Sequence, residues 1–118
     1  MNKKLFNASC FALITTAMTF AVRAKIELVF REDYGLTLGE IGIAFGPAFY
    51  GFTLAMIIGG FMVDLFGMKK IMNIAFITHL VGIILTLFAR DFTLLFLGTL
   101  LIGIGNGMVE AACNPLIA

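Results

Sequence analysis

Four apolar stretches, each long enough to cross a bilayer and separated by only a few polar residues, constrain this chain more than any other feature. They cover about 5–30, 38–63, 71–89 and 92–118. A helix rises 1.5 Å per residue, so about 20 residues cross roughly 30 Å of hydrocarbon. With 61% hydrophobic and only 13% charged residues, against about 45–50% and 25% in soluble domains, the chain cannot enclose its apolar surface in a core of its own. Its solvent is lipid, where only helices and closed barrels satisfy the backbone. The sequence therefore predicts an all-α membrane protein with the lipid bilayer as its first partner. Short links (REDYGLTLG, DLFGMKK and Arg90-Asp91) predict antiparallel neighbours in one bundle.

Lys3, Lys4, Lys69 and Lys70 fall on one side of that bundle. Arg31 and Arg90 fall on the other, accompanied by Glu32, Asp33, Glu40 and Asp91. Basic residues concentrate in cytoplasmic loops, so the amino terminus is expected inside a cell (inner) membrane that the chain crosses several times. A start of Lys3-Lys4 followed by an apolar run, with Val22 and Ala24 at cleavage-like positions, also suits a secretory signal. The run is too long for one, and three further spans follow. The Asn7-Ala8-Ser9 sequon lies on the side read as cytoplasmic and is set aside.

A net charge of +1 gives no footprint for nucleic acid. Cys10 and Cys113 are far apart in sequence and accompanied by a single histidine, so neither a disulfide framework nor a metal site is expected. No cofactor motif is present; GIGNG lacks the strand that a nucleotide-binding turn requires. No nucleophile, base and orienting group can be placed together, so an enzyme is not expected.

Charges inside spans cost about 2.5–3.5 kcal/mol on insertion scales and mark functional positions. Arg23 lies a little past the middle of the first span, on a stripe with Thr16, Phe20 and Glu27. Arg23 and Glu27 have the i,i+4 spacing of an ion pair. One reading is a self-neutralising pair; the other is a substrate site, since the arginine fork suits a carboxylate or phosphate. Lys25 points elsewhere and can snorkel.

In the fourth span Asn106, Glu110 and Asn114 recur every four residues and share a face with Gly103, Gly107 and Cys113. That face is expected to avoid lipid, with Glu110 as a proton carrier or the stripe as interhelical glue. Gly103-xxx-Gly107 and Gly42-xxx-Gly46 offer close helix approach. His79 reads more readily as a satisfied interior histidine than as a proton relay. Tyr50 and the phenylalanines read as packing, with Tyr50 the aromatic most open to a substrate-facing role.

Residues 60–70 read GFMVDLFGMKK. This resembles the signature cytoplasmic loop of the major facilitator superfamily: a glycine, an aspartate four residues on, a second glycine, then basic residues. Gly60 would permit close packing, Gly67 a tight turn, and Asp64 an interaction with a helix amino terminus. The resemblance implies that Asp64, Lys69 and Lys70 help latch two halves of a transporter. Leu65 departs from the pattern, standing where the family usually has a basic residue. Residues 105–115, GNGMVEAACNP, resemble the fourth span of the fucose/proton symporters, which implies proton coupling and sugar recognition at Glu110. Those relatives carry an acid in the first span near Val22 and Arg23, and this chain does not. Arg23 looks instead like the substrate-binding arginine of the organic-phosphate antiporters.

The family has twelve spans in two halves, so the resemblance implies an amino-terminal fragment, four transmembrane helices of an incomplete major-facilitator-type bundle. The expected function is transport of a small-molecule substrate, a sugar or an organic anion, by alternating access with proton or ion coupling. Arg23 and Glu110 are expected to face a common cavity and exchange pairing. Two other readings are a complete four-span dimeric multidrug exporter built around Glu27 and a non-catalytic membrane subunit.

Overall fold

The computed structural model describes residues 2–117. They form five helices in chain order: α1 (Lys3–Glu32), α2 (Leu38–Phe45), α3 (Pro47–Phe66), α4 (Met68–Phe88) and α5 (Phe92–Ile117). Four helical segments are long and apolar enough to cross a membrane, with α2 and α3 counted as one. The outer surface is correspondingly greasy: Phe11, Leu65 and Leu87 are each more than 70% exposed.

Local chemistry sets the helix ends. Asn2 Oδ1 accepts from Lys4 N at 3.1 Å and opens α1. Before α2, Thr37 Oγ1 accepts from Glu40 N at 3.2 Å, and Thr37 N donates to Glu40 Oε2 at 2.9 Å. This reciprocal pair satisfies two amide groups that a helix start leaves unpaired. Asp91 Oδ1 does the same work for α5, accepting from Leu94 N at 3.0 Å. Leu36, in the first loop, is buried with Phe30, Ile41, Phe45 and Leu95, and so ties that loop to the bundle.

The second span, expected as one unbroken helix, is interrupted at Gly46-Pro47. Proline has no N–H to continue the ladder, and Pro47 takes the opening position of α3. The helix restarts on the Gly46 carbonyl, which accepts from Phe49 N at 2.9 Å and Tyr50 N at 3.3 Å. Gly46 keeps helical angles (φ −49°, ψ −45°), so the chain runs on through the membrane.

Helix α5 is the centre of the bundle and packs against every other helix, α3 and α4 most extensively. Close approach depends on Gly103 and Gly107. A Cβ on Gly103 would sit 2.8 Å from Ala48 Cα, and one on Gly107 would sit 2.9 Å from Ala55 Cβ. The facing surface of α3 is Ala48, Gly51, Ala55 and Gly59, all buried. Gly42 and Gly46, expected to provide that surface, do not: Gly42 has nothing within 4 Å, and Gly46 meets only its own chain segment.

Candidate functional site

Helices α1 and α5 run antiparallel. Phe30 packs with Leu95 at one end, Thr19 bonds to Asn106 further along, and Ser9 reaches Cys113 near the other end. Arg23 therefore lies across from Thr99 and Ile102, with which it lines a cavity of about 500 Å³ between α1, α4 and α5. Its other flank faces a cleft of about 390 Å³ between α1 and α2, lined also by Phe20, Glu27, Ile41, Phe45 and Phe49. Arg23 is the one charged residue common to both.

The side chain is only 9% exposed. Its guanidinium carbon lies 4.7 Å from the Phe20 ring centre, 5.5 Å from Phe49 and 5.9 Å from Phe45. The ring faces attract a cation, and Arg23 Nη1 is nevertheless buried with no hydrogen-bond partner among the described residues. The expected Arg23–Glu27 ion pair does not form, although both residues face one cleft. Helical side chains lean toward the amino terminus; Arg23 follows that lean toward Phe20, one turn back, and away from Glu27.

Asn106 is completely buried. Its Nδ2 donates to Thr19 Oγ1 at 2.9 Å, while its Oδ1 has no partner among the described residues. Beside it stands His79 of α4, whose Nε2 is likewise buried without a partner. The expectation of a satisfied interior histidine is thus corrected. Thr19 and His79 belong to this polar junction of three helices, and of the two only His79 stands out in sequence. The signal for His79 is its place in mid-span; nothing in the sequence joins it to Thr19.

Glu110 is half-buried and accepts from Asn114 Nδ2 at 2.7 Å. Asn106 is buried and Asn114 exposed, because residues four apart drift about 40° per step around a helix. The stripe turns out of the core as α5 proceeds. Arg23 and Glu110 are not brought together: each lies four residues beyond the Thr19–Asn106 bond, in opposite directions, which separates them by roughly 12 Å along the axis. Neither cavity includes Glu110. Tyr50 is exposed and also lines neither.

In the loop with the family signature, Gly67 alone separates α3 from α4 and adopts φ +82°. Gly60 faces open space; its neighbour Gly59 makes the close approach, and a Cβ there would sit 3.0 Å from Ala111 Cβ. Asp64, Lys69 and Lys70 are exposed. Among the described residues the amino terminus of α4 has no side-chain cap.

The sequence profile of the Major Facilitator Superfamily matches residues 5–118. A probable sulfoacetate transporter of Cupriavidus necator is 35% identical over 65% of this chain and 18% of its own length. A D-xylose-proton symporter-like protein of Arabidopsis thaliana is 31% identical over 72% of this chain and 17% of its own. A probable chloroplastic anion transporter of the same plant is 26% identical over 98% and 22% respectively. The chain thus spans about a fifth of the length of these relatives. No solved structure gives a significant match.

Proposed function

This chain belongs to the major facilitator superfamily, and from that premise we propose that it forms part of the wall of a transporter that moves a small organic anion or sugar by alternating access. The observation that carries this reading is Arg23: a cation inside a span, held by three aromatic rings, bordering two cavities and with Nη1 unpaired. A buried charge without a counter-ion is strongly unfavourable, so a substrate acid that supplies the missing acceptor is bound with more than its Coulombic attraction alone. Relatives are named for sulfoacetate and anions and for sugars alike; the unpaired Arg23 Nη1 is what favours the anion.

Coupling to protons falls to Glu110, a half-buried carboxylate held by Asn114. It acts from a different level of the bundle than Arg23, so coupling runs through movement of α5 rather than through a direct ion pair. Asp64, Lys69 and Lys70 serve as the conformational latch on the cytoplasmic side, where the amino terminus also lies. The small four-span exporter is not favoured, since the family matched is a different one.

The test is uptake into proteoliposomes by the full-length transporter. Arg23→Gln should abolish uptake of organic anions, and Glu110→Gln should remove the stimulation by an inward pH gradient while counterflow exchange survives. Full anion uptake by Arg23→Gln contradicts the substrate role. Undiminished gradient-driven uptake by Glu110→Gln contradicts the coupling role.

A further inference from the structure

Arg23 and Glu27 stand one helical turn apart, line the same cleft and remain unpaired. That spacing normally produces an ion pair. Here Arg23 is drawn under Phe20, Phe45 and Phe49, and Glu27, half-buried, is left facing the cleft. We propose that the cleft between α1 and α2 recognises a zwitterion, its acid group on Arg23 and its ammonium group on Glu27.

The proposal rests on the reading of Arg23 as a substrate ligand and adds to it the second half of the substrate. Positions four apart on a helix are separated by about 6 Å, which suits a molecule whose acid and amine are parted by two or three methylenes. The cleft supports both ends. The Nη1 atom lacks an acceptor, which a carboxylate or sulfonate oxygen provides. At the other end Glu27, which lines the same cleft, supplies the negative charge that an ammonium group needs. A simple anion satisfies Arg23 alone, and a dianion places its second acid against Glu27.

Binding of γ-aminobutyrate, butyrate and succinate to the full-length transporter in detergent, measured by calorimetry, tests this. The expected order is γ-aminobutyrate tightest by about tenfold, the scale of one charge-assisted hydrogen bond, then butyrate, then succinate. Glu27→Gln should erase the advantage of γ-aminobutyrate while butyrate binds at least as tightly as before, since a repelling charge is removed, and retained butyrate binding also reports that the variant is folded. Glu27→Asp should keep part of the advantage. An unchanged order in Glu27→Gln, or succinate binding tightest to the wild type, overturns the zwitterion site. Butyrate binding unchanged by Arg23→Gln overturns instead the reading on which it rests.

Discussion

Asn106 of α5 donates its side-chain N–H to Thr19 Oγ1 of α1 at 2.9 Å inside the bundle, while the other end of the amide, Oδ1, stays without a partner. In hydrocarbon such a bond has no water to replace it. Thr19→Val keeps the shape and removes the acceptor, and is expected to destabilise the bundle by about 0.6 kcal/mol, the average measured for interhelical side-chain bonds in membranes, and by no more than about 1.7 kcal/mol. Thermal unfolding in detergent measures the loss. The double variant Thr19→Val with Asn106→Val should lose less than the sum of the two singles; strict additivity would show that the bond contributes nothing.

The glycines make opposite demands although they look alike in sequence. Gly107→Ala would drive a methyl group into Ala55 Cβ and Met56 N of α3, each 2.9 Å away, and should cost about 1–3 kcal/mol as an overpacked core does. Gly60→Ala meets open space in mid-helix and should gain about 0.5–1 kcal/mol from helix propensity. Paired melting curves decide the matter, and equal effects of the two substitutions would contradict the packing described here.

Gly67 is the single residue between α3 and α4 and holds φ +82°, ψ 150°, a region that is open almost only to glycine and costs another residue about 1–3 kcal/mol. Gly67→Ala and Gly67→Asn should each lose roughly that much, because asparagine has its advantage in the left-handed helical region and not in this one, so the wild type melts highest. The order of the three melting temperatures is the readout.

Pro47 has no N–H to donate to the Ile43 carbonyl four residues back and so interrupts the regular ladder of the second span. Pro47→Ala restores an N–H that can donate to Ile43 O four residues back. Hydrogen exchange at residues 43–50 should slow in the variant. Unchanged exchange would place the interruption in the tertiary packing rather than in the proline.

The four-helix plan was legible because apolar length alone dictates it; the helix ends followed from residues such as Thr37, Glu40 and Asp91 whose side chains cap locally. Contacts between helices were not legible in the same way. Gly42-xxx-Gly46 and the Gly51, Ala55, Gly59 series carry the same spacing, and only the rotation of the span about its axis decides which faces α5. Arg23 and Glu27 have the separation of an ion pair, but Phe45 and Phe49 come from the next span and hold the guanidinium elsewhere. His79 meets Asn106 through the seating of α4 on Gly105, which no local pattern encodes. Arg23 itself was conspicuous in sequence, since a charge in a span is costly wherever its neighbours lie.

That cost gives the sharpest test of Arg23 as a substrate ligand: the melting temperature of full-length protein, with and without an anionic substrate, in the wild type and in Arg23→Met. A buried cation lacking a partner opposes folding, and a hydrophobe of similar length removes the opposition. The account predicts that Arg23→Met melts higher than the wild type without substrate and loses the upward shift that the anion produces. A variant that melts lower, or that keeps the anion-dependent shift, would contradict it.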